Sequence, residues 1–205
     1  MAGGLYPEGS PVFRALQRYR PFICPFEVLI PEVPSGASVL DIGCGAGLFL
    51  GLLTAAGSEP RGIGFDVSPH GIKLAQAMSV AGKARLTFQQ LDVEAAWPAG
   101  EFDVVALIDV LHHVAPNAQE ACVRRACTAV KPGGIFLYKD MVSKPFWRAF
   151  ANRMHDLLLA RQWIHYAPVA DVQTWVLDER FELQRAARID RLWYGHELRV
   201  FKRLV

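Results

Sequence analysis

Between Ser38 and Tyr138 the sequence switches repeatedly between short apolar runs rich in β-branched residues and longer segments with helical periodicity. Ser38–Ile42, Arg61–Val67, Arg85–Leu91, Phe102–Val110 and Ile135–Tyr138 read as strands. Ala46–Ala56, Ser68 to about Ala81 and the segment opened by Pro116 read as the helices between them. Ser68 is a natural N-cap, with Pro69 at the first helical position. Lys131-Pro132-Gly133-Gly134 breaks the third helix before the fifth strand. Such alternation has few solutions. Each strand must cross over through a helix and return parallel to its predecessor, which gives a doubly wound sheet covered on both faces. The fold class is therefore α/β, and Phe102–Val110, apolar almost throughout, has the composition of a central parallel strand.

After residue 141 the pattern changes. Phe146–Gln162 reads as one amphipathic helix, Val169–Glu179 as another, and Phe181–Asp190 and Glu197–Lys202 as two more strands. Before Ser35, proline punctuates the chain repeatedly, which reads as a helical lead-in or lid over residues 1–35, with the main domain over 36–205 and its acceptor-side elements mainly within 141–196. At 205 residues and a net charge of +2, without a basic tract, nothing calls for a nucleic-acid partner. No apolar run is long enough to span a bilayer. Four cysteines without C-x-x-C spacing, and a start lacking signal-peptide regions, lead to the expectation of a cytoplasmic protein with reduced thiols.

In a doubly wound sheet, ligands sit beyond the carboxyl ends of the strands. The first strand runs into Asp41-Ile42-Gly43-Cys44-Gly45-Ala46-Gly47, where glycine lets a ligand lie against the backbone. A nicotinamide-binding G-x-G-x-x-G would need glycine at 48, which is Leu48. The acids discriminate further. Asp66 ends the second strand, where a carboxylate can accept from both hydroxyls of a ribose. Asp92 ends the third, placed for the exocyclic amine of a base, and Asp41 precedes the glycines, placed for a cationic amino group. Any one of them could simply cap a helix or end a strand. Three at consecutive strand ends fit a ligand with adenosine at one end and an ammonium at the other.

V-L-D-I-G-C-G-A-G, G-F-D-V-S, Q-L-D-V-E, F-D-V-V-A-L-I-D-V-L-H-H-V and V-K-P-G-G, in that order over roughly residues 36–140, resemble the successive motifs of class I S-adenosylmethionine-dependent methyltransferases, in particular the small single-domain, type-11-like kind. The resemblance implies a seven-stranded, mostly parallel Rossmann-like sheet with one antiparallel strand, completed by the two late strands. It implies S-adenosyl-L-methionine as cofactor and S-adenosyl-L-homocysteine as product. Asp41 and Gly43 would hold the methionine end, with Cys44, Gly45 and Gly47 lining it. Asp66 would hold the ribose with Val67 against the adenine, and Asp92 the adenine amine with Val93 beside it. Ile108 and Asp109 would flank the cofactor.

Methyl transfer from a sulfonium is an in-line displacement in which the protein aligns the acceptor, excludes water and, for a phenol, removes a proton. The strand ends select His112 and His113 after the fourth strand, and Lys139 and Asp140 after the fifth. His196, with Trp193 and Tyr194, follows the sixth, and Trp163 and Tyr166 follow the amphipathic helix. The candidate bases are His113, His112, His196 and Lys139; Asp140, Trp163, Tyr166, Trp193 and Tyr194 are the candidate acceptor contacts. The histidines and cysteines lack zinc spacing, and Asp109 with Asp140 is thin support for Mg²⁺, so no metal is expected. The Asn/Asp-Pro-Pro-aromatic loop of nucleic-acid amine methyltransferases is replaced by Ile108-Asp109-Val110-Leu111. The expectation is O-methylation of a phenol, enol or carboxyl on a small molecule. Carbon or nitrogen methylation, and a catalytically inactive cofactor-binding interaction protein, are the alternatives.

Overall fold

Val39, Leu40 and Ile42 are wholly buried, as befits a strand with neighbours on both edges and helices on both faces. This strand, β1 (Ser38–Ile42), pairs parallel with β2 (Arg61–Asp66), and β2 pairs parallel with β3 (Leu86–Gln90). With β4 (Phe102–Ile108), β5 (Val130–Met141), β6 (Phe181–Arg191) and β7 (Tyr194–Arg203) they form a seven-stranded sheet in the order β3-β2-β1-β4-β5-β7-β6. β7 runs antiparallel to both β5 and β6, and is the expected reversed strand. The computed structural model describes residues 2–82, 85–141, 165–191 and 194–205, the side chains of Gly3 and Tyr194 excepted. The chain divides into two compact units, Met1–Ala106 and Leu107–Val205.

In the first unit, α1 (Pro11–Ile23) and α2 (Phe26–Leu29) precede β1. Ser10 caps α1 by accepting from the Phe13 N–H at 3.2 Å, and Pro11 fills the first position, where its missing N–H costs nothing. The segment before α1 is anchored in the core: the buried Tyr6 hydroxyl donates to the Ala46 carbonyl at 2.9 Å, within the glycine turn. α3 (Leu48–Ala55) follows that turn and is apolar nearly all round, hence buried. α4 (Pro69–Gln76) starts as the sequence predicts, with the Ser68 hydroxyl accepting from the Gly71 N–H at 3.1 Å, but stops earlier than the periodicity implies.

In the second unit, α5 (Pro116–Thr128) leads to β5, and α6 (Val169–Leu177) to β6. Val172 and Val176, one turn apart, are wholly buried. β5 corrects the sequence reading. The Lys131–Gly134 stretch does not break the chain before the strand but lies within it, at positions preceding the ladder with β7, which begins at Ile135. The helix predicted over Phe146–Gln162 lies outside the described residues.

Candidate active site

The turn after β1 is built from backbone that side chains other than glycine adopt poorly: Gly43, Gly45 and Gly47 have φ of 67°, 54° and 72°. The last two carry the point in different ways. A Cβ on Gly45 would meet nothing within 4 Å, so this stretch of backbone borders open space. A Cβ on Gly47 would come within 2.5 Å of the Phe88 ring, so that glycine is required by packing of the first unit on itself. Asp66 holds the turn in place. Its Oδ2 accepts from the Gly45 N–H and its Oδ1 from the Ser68 N–H, each at 2.8 Å. A carboxylate offers about four acceptor positions, so both oxygens retain capacity for a pair of hydroxyls.

Asp41 lies beneath this turn, 3 % exposed, and its Oδ2 is buried without a hydrogen-bond partner. Burial, reinforced by Asp66 and opposed by Arg20, pushes its carboxyl up to about 8. An orphaned, nearly inaccessible carboxylate oxygen is costly, and a cationic ligand group would satisfy it. The Cys44 thiol beside it is pushed up by burial and by the two acids, so it stays protonated and acts by its bulk.

Further along the first unit, Val67 is 59 % exposed beside the Asp66 carboxylate, an apolar face left open to a planar ring. Asp92 is exposed, with Oδ1 accepting from the Glu94 N–H at 2.9 Å in a tight turn. The Trp97 indole donates to the Val93 carbonyl at 2.8 Å and packs on the Phe65 ring, which fixes the strand end that carries Val93. An orphaned acid for an ammonium, a two-oxygen acceptor for a diol and an open apolar residue for a base fit S-adenosylmethionine.

The second unit gathers two titratable pairs. His112 sits in a 3-10 turn, Leu111–His113, and is 2 % exposed. Its Nδ1 lies 2.5 Å from Asp140 Oδ1, and its backbone N–H donates to Asp140 Oδ2 at 3.3 Å. Asp140 Oδ1 also accepts from the Met141 N–H at 2.7 Å. Asp140 is thus engaged by protein on both oxygens and fixes the His112 ring. His113 is exposed, and the His112 ring lies 4.1 Å from the His113 ring and 6.3 Å from the Tyr166 ring. Lys139 is wholly buried and places Nζ 2.6 Å from each oxygen of Asp109. A buried, ion-paired ammonium has no lone pair with which to accept a proton. Burial pushes the Asp109 carboxyl up, but the Lys139 ammonium, with His196 and His112, outweighs it and holds the group below the ordinary carboxylate range. Asp109 also stands at φ 56°, and its N–H donates to the Lys139 carbonyl at 2.8 Å. His196, 1 % exposed, lies opposite Met141 in the β5–β7 ladder.

Of the other expected residues, Ile108 ends β4 and is buried. Trp163 and Trp193, and the Tyr194 side chain, lie outside the described residues. Among the described residues no group of three or more His, Cys, Asp or Glu is placed to hold a metal ion. Likewise, among the described residues no helix is long and apolar enough to cross a membrane. Two contributors escape sequence reasoning. Gln119 of α5 reaches the carbonyls of Leu111, Val114 and His165 at 3.1, 3.3 and 2.7 Å, and the His165 N–H donates to the His112 carbonyl at 2.8 Å. These bonds clamp the His112 turn from two sides, yet Gln119 reads as one polar residue in a polar helix start. Tyr6 is the other: no periodicity marks it as the residue that binds the glycine turn.

A doubly wound sheet with a reversed seventh strand, a glycine turn after β1 and acids at the following strand ends define the class I methyltransferase fold. A family described as a methyltransferase domain matches residues 13–186, and the chain belongs to it. It is 32 % identical over 148 residues to the ubiquinone biosynthesis O-methyltransferase of Methylobacterium sp. (strain 4-46), and 34 % identical over 148 residues to that of Methylobacterium nodulans. Each match covers 66 % of this chain and 57 % of the relative, so the chain spans little more than half the length of the curated relatives it matches. The magnesium protoporphyrin IX methyltransferase of Synechocystis, solved with S-adenosylhomocysteine bound, superposes with a TM-score of 0.70 at 18 % identity, over 96 % of this chain and 88 % of that one.

Proposed function

We propose that this chain is an S-adenosylmethionine-dependent methyltransferase that methylates an oxygen, most simply a phenolic hydroxyl, of a small-molecule acceptor. The observation that carries the choice of oxygen is the buried His112–Asp140 pair. With Asp140 on Nδ1, the ring keeps its proton on that nitrogen and presents Nε2 as the acceptor of a hydroxyl proton. The cofactor, when bound, supplies an electrophilic methyl group on a sulfonium. Asp41 pairs with its ammonium, Asp66 accepts from its ribose hydroxyls while bracing the Gly45 turn, and Val67 lies against its base, with Asp92 and Val93 at the adenine edge. Residues 1–35 wall this site, a role supported by the Tyr6 hydroxyl on the Ala46 carbonyl. Lys139 and Asp109 keep the strand ends in place and do not exchange protons with the acceptor. The curated relatives' name as O-methyltransferases supports the same reaction class.

Incubation with isotopically methyl-labelled S-adenosylmethionine and a panel of phenols, enols, carboxylic acids and amines tests it. Labelled methyl ethers of phenols are expected. His112→Gln should lower turnover by roughly 10²–10⁴-fold, the usual contribution of a general base, with cofactor affinity unchanged. Asp140→Asn should shift the pH dependence of the rate. Full turnover in His112→Gln, or transfer confined to amines, contradicts the proposal.

A further inference from the structure

α1 has two faces that serve different purposes. Phe13 and Gln17 point inward: Gln17 is 6 % exposed, and the Phe13 ring packs edge-on against Tyr6 at 5.3 Å and His70 at 6.3 Å. On the other side Val12, Leu16, Tyr19 and Phe22 are 71, 53, 61 and 66 % exposed. At roughly 100° per residue, Val12, Leu16 and Tyr19 fall within about 60° of one another and Phe22 adjoins them. These four are half of the chain's large exposed apolar side chains among the described residues, gathered on one thirteen-residue helix. The tilted Tyr19 and Phe22 rings, with centroids 6.2 Å apart, extend the stripe to the end of the helix.

The same helix carries Arg14, Arg18 and Arg20, all exposed, and has no acidic residue. By the same helical spacing Arg20 borders the stripe on one side and Arg18 lies beyond Phe22 on the other. Long cationic side chains beside a strip of aliphatic and aromatic groups are the arrangement that lies along a lipid interface, with rings and branched chains in the acyl boundary and guanidinium groups among phosphates. A monomer surface seldom leaves so much contiguous apolar area to water. We propose that the exposed face of α1 docks on an anionic lipid surface, holding the protein at a membrane that none of its described helices crosses. The charge complementarity favours phospholipid headgroups over a second copy of the chain, whose α1 would bring its own Arg18 and Arg20 against these.

Flotation with vesicles of phosphatidylglycerol mixed with phosphatidylcholine, and with phosphatidylcholine alone, tests the docking. The full chain should float with the anionic vesicles and at least tenfold less with the neutral ones. Leu16→Ser combined with Tyr19→Ser should lower partitioning at least tenfold while leaving Tm unchanged, because both positions face solvent. Arg18→Gln combined with Arg20→Gln should leave the stripe intact yet weaken anionic binding by roughly fivefold per charge. Wild-type protein that stays unbound with anionic vesicles overturns the proposal. So does flotation that neither pair of substitutions reduces, and so does concentration-dependent self-association, without vesicle binding, that the serine substitutions abolish.

Discussion

Burying a carboxylate oxygen without a partner costs folding free energy, and Asp41 Oδ2 is in that position beneath the glycine turn. Its carboxyl is raised to about 8, so folding draws a proton onto it from the ordinary carboxylate range upward. The stability it contributes is whole below the unfolded carboxyl's pKa and is lost as pH climbs towards the folded value. Asp41→Asn removes that dependence. In the ligand-free protein its stability advantage over wild type should grow between about pH 4 and pH 8, by up to about 1.4 kcal/mol per pH unit, and level off above. Denaturant titrations across that range check it; a flat difference would mean Asp41 has a partner in solution. Asp109 should behave oppositely. Asp109→Ala leaves the wholly buried Lys139 ammonium uncompensated and should destabilise by about 3–5 kcal/mol, whereas Asp109→Ala with Lys139→Met should recover part of that loss in the same denaturant assay.

At the scale of elements, the glycine turn separates two reasons for one residue type. Gly47→Ala pushes a Cβ into the Phe88 ring and forces a side chain into the left-handed region, so Tm should fall visibly even without ligand. Gly45→Ala meets open space, so its Tm loss should be the smaller, while its cofactor affinity drops. Thermal melts of both, with and without S-adenosylhomocysteine, distinguish them; equal melting losses would mean that Phe88 yields. The sequence distinguishes neither glycine from the other, because Phe88 is 41 positions away in the chain and only the β2–β3 pairing brings it near. The strands themselves were legible, since central parallel strands advertise two-sided burial as unbroken apolar runs. β5 was misjudged at its start because Pro132 and Gly133 punctuate most chains, whereas here they lie inside the strand, ahead of its ladder with β7.

For the whole molecule, local spacing revealed the first unit better than the second. Asp41, Asp66 and Asp92 each end or follow a strand, so topology alone puts them at one edge. The second unit depends on contacts across 28 to 46 positions, such as His112 with Asp140 and Gln119 with His165, which no periodicity encodes. Hence His112 and His113 were indistinguishable as adjacent letters, although one is buried against a carboxylate and the other faces solvent. The claim on which everything else depends is that the first unit holds S-adenosylmethionine by its ammonium and ribose. Calorimetric titration of S-adenosylhomocysteine into wild-type protein and Asp41→Asn tests it most directly. One-to-one binding to wild type, weakened at least tenfold by the substitution through loss of a charge-assisted bond, is the expected result. Folded wild-type protein that takes up no ligand, or an affinity that Asp41→Asn leaves unchanged, would contradict it.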